Sequence, residues 1–213
     1  TGGQNTALGL GSLGGNTSAS KNTAVGYASL GDNTTGGENT ALGMSALESN
    51  TTGPHNTAVG FYALAANTTG AQNTAIGQNA LLANTTASYN TSVGKNSMDS
   101  NTTGHSNAAN GYGALGGNTS GNQNTAIGES AGDTLTTGSG CVFIGRVARP
   151  NVASNDYTIV IGANATGRGT NTGMISPNGG AMYQGNNASA WSQASDERLK
   201  KNIVNNDVGL AKI

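Results

Sequence analysis

Charge is scarce in this chain: only 9% of its 213 residues are Asp, Glu, Lys or Arg, and the net charge is −1. That leaves no basic face for nucleic acid. Aromatic residues make up 4% and hydrophobic types 34%, too little for the mixed core of an ordinary globular enzyme. A lone cysteine excludes an intrachain disulfide framework and says little about compartment. No apolar run approaches the ~20 residues of a membrane helix. Disordered chains of low hydrophobicity are usually rich in charge and proline, and this one has three prolines and a steady supply of Leu, Val and Ile. Thr1 opens no signal-peptide pattern, so the chain reads as a fragment or a processed product.

What the chain has in excess is glycine, asparagine and threonine, with 35, 29 and 27 copies, against an average in which Gly is ~7%. The excess is periodic. Asn-Thr-Ala-apolar-Gly, or a close variant, begins at Asn5, Asn22, Asn39, Asn56, Asn73, Asn90, Asn107 and Asn124, in steps of 17 residues. The closing glycines continue the step to Gly145 and Gly162, so ten coils share one register. A second half follows each strand-like segment, anchored at Leu13, Leu30, Leu47, Leu64, Leu81, Met98 and Leu115.

The apolar residues do not follow a 3.6-residue period and every unit contains turn formers, which excludes a helical solenoid. Each half offers a short extended run bounded by Gly and Asn, predicting a strand and a turn twice per coil. The fold class is therefore all-β: a β-solenoid or β-roll of about ten 17-residue coils over residues 1–166, roughly 48 Å long at the spacing of stacked strands. Stacking sets like over like. Asn16, Asn33, Asn50 and their successors can then pass amide hydrogen bonds along a ladder, and the Thr rows likewise. Within a strand, Thr6 and Leu8 point to one face and Asn5, Ala7 and Gly9 to the other. Neither set resembles an ordinary solvent face, and the sparse Leu, Val and Ile are expected to form a thin continuous core. So little large apolar surface per coil, set against the entropy of ordering the backbone, points to help from neighbouring subunits.

The repeat, as in Asn-Thr-Ala-Val-Gly at 22–26 and Asn-Thr-Ala-Ile-Gly at 73–77, resembles the head repeats of YadA-like trimeric adhesins and the matching modules of phage tail fibres. The resemblance covers about residues 1–166, although the 17-residue period is longer than is usual in the adhesin heads. It implies a left-handed roll and a parallel homotrimer packed about a threefold axis.

Beyond Gly162 the spacing breaks. Residues 167–194 read as an irregular Gly-rich β connector. Charge then rises, from 8 charged side chains in residues 1–140 to 7 in residues 195–213. Ser195-Asp196-Glu197-Arg198-Leu199-Lys200-Lys201-Asn202-Ile203 resembles the start of the endosialidase-type intramolecular chaperone domain, truncated here. That domain helps three fibre chains find one register and then cuts itself off. By the resemblance, cleavage falls between Ala194 and Ser195, with Ser195 as nucleophile, Lys200 as its base, and Asp196 and Arg198 in structural or orienting roles. A lysine whose pKa is lowered by burial can take the serine's proton. A clamp of this kind suits a repeat fibre, because chains offset by a whole repeat would still match most side chains.

Other features take simpler readings. The Asn-Thr-Ser/Thr triplets beginning at Asn16 and Asn33 match the glycosylation sequon but are needed as ladder residues. Adjacent Thr51 and Thr52 do not make the flat Thr-x-Thr rank of an ice-binding face. His55 and His105 lie about three coils apart, ~15 Å, too far to share a metal, and read as solvated loop residues. Cys141 fills an asparagine slot and is expected to be a small buried residue. No cofactor, metal or external-substrate chemistry is indicated. The slot after each closing glycine holds Leu10, Tyr27, Met44 and Phe61 in the first four coils. It is expected to form a surface stripe that serves subunit contact or docking of a receptor.

The expected function is a structural, host-attachment fibre: a phage tail fibre, extracellular on the virion. Its partners would be two identical subunits, other tail or fibre proteins, and a host-surface receptor, glycans included, with no nucleic acid and no membrane insertion. A bacterial trimeric adhesin head at the cell surface is the alternative, and an ice-binding or scaffolding solenoid the third.

Overall fold

The computed structural model describes residues 2–177, 181–185 and 192–193. Ten three-residue strands form one parallel stack: β1 (Thr6–Leu8), β2 (Thr23–Val25), β3 (Thr40–Leu42), β4 (Thr57–Val59), β5 (Thr74–Ile76), β6 (Thr91–Val93), β7 (Ala108–Asn110), β8 (Thr125–Ile127), β9 (Val142–Ile144) and β10 (Ile159–Ile161). Each residue lies over its counterpart one repeat away, Thr40 opposite Thr57 and Ala41 opposite Ala58. The described chain is all-β, and the 17-residue β-solenoid expected from the spacing is what it forms.

The break after Gly162 is also visible. Ile159 pairs with Gly173, so the step shortens as β11 (Gly173–Ile175) joins the sheet. β12 (Met182–Gln184) and β13 (Ser192–Gln193) then continue it in antiparallel sense.

The second half of each coil is not the strand the sequence suggests. Its backbone curls through left-handed residues, Ala28 at φ 54° and Leu30 at φ 51°, and its amides reach neighbouring coils: Ala28 N–H donates to Leu10 O (2.9 Å) and Leu30 N–H to Ala46 O (3.0 Å). The curl turns Leu30 into the roll, where it is fully buried. At Gly60 the requirement is stricter: φ is 134° and an added Cβ would fall 2.6 Å from Gly77 O. No other residue suits that position.

The core differs from the expected one as well. The strand alanines, Ala24, Ala41, Ala58 and Ala75, are completely buried, and they pack with the second-half anchors Leu30, Leu47, Leu64 and Leu81. The aliphatic residues of the strands point the other way, Leu8 being 68% and Leu42 46% exposed. Alternation makes the choice all-or-none. The narrow roll, already filled from its far side by leucine, takes the small residue inward.

Two asparagine ladders brace this interior. In the expected one, Asn50 Nδ2 donates to Asn33 Oδ1 (2.8 Å), and Asn67 repeats the bond to Asn50 (2.9 Å). In the second, Asn39 backbone N–H donates to Asn22 Oδ1 (2.9 Å) and Asn56 N–H to Asn39 Oδ1 (2.8 Å). They converge on the backbone: Gly53 O accepts from both Asn39 Nδ2 (2.9 Å) and Asn50 Nδ2 (3.0 Å). The Thr rows bond differently from the asparagines, Thr34 Oγ1 donating to the backbone carbonyl of Thr51 (2.9 Å).

Candidate functional site

The outward side of the parallel sheet is the most distinctive surface. Along β1 to β8 one column is threonine, interrupted at Ala108, and beside it runs an aliphatic column, interrupted at Asn110. In β9 and β10 both columns turn aliphatic, with Val142, Ile144, Ile159 and Ile161. No outward position from β1 to β10 carries a charge. Ten coils at ~4.8 Å by a strand ~10 Å long give a strip of roughly 500 Å², uncharged throughout and, over the first eight coils, about half threonine and half aliphatic.

The residues of the stripe slot are exposed. Tyr27 is 57% exposed, and Met44 and Phe61 40% each. Phe61 also meets Tyr62 edge to face, ring centroids 4.3 Å apart. Phe61 thus packs on its own neighbour in the chain while staying exposed.

A second surface column, in the slot just before each strand-opening asparagine, was missed in the sequence. Lys21, Glu38 and His55 occupy it in successive coils. Lys21 Nζ lies 3.1 Å from Glu38 Oε1, and His55 Nδ1 lies 3.2 Å from Glu38 Oε2. The hydrogen bond and charge of Lys21, with His55 adding to them, hold the Glu38 carboxyl below its usual range. His55 is thus an exposed member of a charged column, where the sequence suggested only a solvated loop residue. The 17-residue separations of 21, 38 and 55 were the available signal. Farther along, Tyr89 and His105 border an open groove of about 500 Å³ with Ser88, Thr103 and Ser106.

Cys141 is buried in its asparagine slot and reproduces asparagine's bonds. Its N–H donates to Asn124 Oδ1 (2.9 Å), and its Sγ lies 3.1 Å from Asn155 O. Burial pushes its thiol pKa up, the opposite of a reactive thiolate. The sequon asparagines from Asn33 to Asn118 are likewise fully buried. Among the described residues no group of three His, Cys, Asp or Glu is placed to hold a metal ion. No described helix is long and apolar enough to cross a membrane. Ala194, Ser195 and Lys200 lie outside the described residues; the last described element, β13, ends at Gln193.

Comparisons with known protein families, curated proteins and solved structures find no match.

Proposed function

We propose that this chain is a segment of a homotrimeric attachment fibre, a phage tail fibre in which three rolls pack side by side through their outward strand faces. The observation that carries this proposal is the uncharged Thr/aliphatic strip, which leaves Leu42, Ile76 and Ile127 between 40% and 48% exposed. A strip of roughly 500 Å² approaches the ~800 Å² that each partner contributes to a standard interface. With the strands turned inward, Tyr27, Met44 and Phe61 remain as outer features for a host-surface receptor or another fibre protein. The resemblance of Ser195–Ile203 to a self-cleaving chaperone supports the phage fibre over a bacterial adhesin head, with Ser195 and Lys200 acting once on the bond after Ala194.

Two measurements test this proposal: the mass of the chain in solution and the mass of its subunits in the full-length gene product. A trimer is expected, with subunits ending at Ala194 in the wild type and uncut in Ser195→Ala. The outward Thr rank of the strands favours a second possibility, an ice-binding face, which requires a monomer with that face bare. A monomer that shapes ice crystals would replace the fibre proposal.

A further inference from the structure

The outward aliphatic column runs from Leu8 to Val93 without a polar member, then meets Asn110 and resumes at Ile127. The Thr column breaks in the same strand, at Ala108. Neither change disturbs the sheet: Val93 pairs with Asn110 and Asn110 with Ile127 in the common register. The surface alone changes. A hollow of about 220 Å³ opens on the outer face, lined by Val93, Ala108, Asn110, Thr125 and Ile127 among others. Asn110 is exposed at its edge, and among the described residues its side-chain amide makes no hydrogen bond.

We infer that Asn110, with the hollow left by Ala108, is the register key of the association between copies. This rests on the proposal above that the strand faces meet. Coils so alike leave alignment poorly specified, since sliding one copy by 17 residues sets Thr against Thr and aliphatic against aliphatic almost throughout. Besides Thr125 against Val142, where the Thr column ends, coil seven is the exception, and it alone sets a polar side chain in the aliphatic column. In the aligned assembly each Asn110 faces the same residue of its neighbours, and the amides can pair in the space that Ala108 leaves. After a slip each amide is pressed against Val93 or Ile127 in a dry contact and loses its partners. A single polar residue in an otherwise apolar seam sets register in the same way in coiled coils. The shaft therefore carries an alignment signal of its own, separate from any signal supplied after Ala194.

The test uses the full 213-residue chain with Cys141→Asn, which removes the native thiol. Chains carrying Thr57→Cys are mixed in denaturant with chains carrying Thr91→Cys, refolded together and oxidised, and the disulfides are read by mass. In aligned copies the two positions are two coils apart, about 10 Å, beyond the ~7 Å a disulfide can span; a slip of one coil cuts that offset to about 5 Å and a slip of two coils closes it. With Asn110 in place, only same-position disulfides are expected. With Asn110→Val, mixed disulfides should rise to a substantial fraction while the mass in solution stays oligomeric. Same-position disulfides alone in both chains, or mixed ones already with Asn110, would overturn the key and leave the association standing. Monomers in both chains would overturn the association itself.

Discussion

Gly132 lies directly against the ring of Phe143: a Cβ added to Gly132 would fall 2.8 Å from Phe143 Cδ2 and 2.9 Å from Leu115 Cδ2. In the regular coils the first position is leucine, as at Leu115, and the second is alanine, as at Ala126. The roll has exchanged one large residue for another across its interior, and Phe143 is its largest fully buried side chain. Each substitution makes sense only beside the other.

A double-mutant cycle should expose that dependence. Phe143→Ala is expected to cost ~3–5 kcal/mol through the cavity it leaves, and Gly132→Leu ~1–3 kcal/mol through overpacking. The double variant restores the ordinary Leu/Ala pair. It should be more stable than the sum of the single changes by ~1–3 kcal/mol in urea titration. Additive effects would show that the two sites do not share the space.

The ladder predicts a position-dependent cost. Asn67 donates to Asn50 Oδ1 and Gly70 O, each at 2.9 Å, and accepts from Asn84 at 2.9 Å. Asn67→Ala removes all three in a buried site and should destabilise by ~2–4 kcal/mol, at ~1 kcal/mol per bond plus the orphaned partners. Asn16→Ala, at the end where Asn16 Oδ1 already lacks a partner, should cost less than ~1 kcal/mol. Equal costs at the two sites would contradict cooperative bracing by the ladder.

The Lys21–Glu38–His55 column predicts a pH effect of definite sign. Because Glu38 titrates below its ordinary value in the folded chain, its contribution is present at neutral pH. It is lost as pH falls from the usual carboxylate range through the lowered value. In Lys21→Met the Glu38 carboxyl signal, followed by NMR, should titrate at higher pH than in the wild type, and this part of the acid-induced loss of stability should shrink. An unchanged Glu38 titration would show that the ion pair does not form in solution.

The period, the all-β class, the Asn50 ladder and the break after Gly162 were legible because a 17-residue repeat writes each row in one residue type. Which way the strands face was not. Both Thr/Leu and Asn/Ala look unlike solvent faces, and only the tightness of the roll, filled from its far side by Leu30 and Leu47, decides that alanine goes in. The curl of the second half was hidden for another reason. Left-handed backbone is usually announced by Gly or Asn, and here Leu30, Leu47 and Tyr62 adopt it under the constraint of the stacked coils. The charged column and the Gly132–Phe143 exchange could both have been found by reading columns instead of units. Asn118 shows the same lesson at the ladder's end: its Oδ1 is unpaired, and the next residue in its column is Leu135. The roles given to Ser195 and Lys200 rest on resemblance alone, and both residues lie outside the described ones.

The most direct measurement of the central claim is the molar mass of the chain by sedimentation equilibrium, wild type beside Ile76→Arg. Ile76 is 40% exposed in the middle of the strip, so the variant should keep the fold while placing a charge in the apolar seam. Three subunit masses for the wild type and one for the folded Ile76→Arg variant are predicted. A wild-type chain that sediments as a monomer would contradict the account.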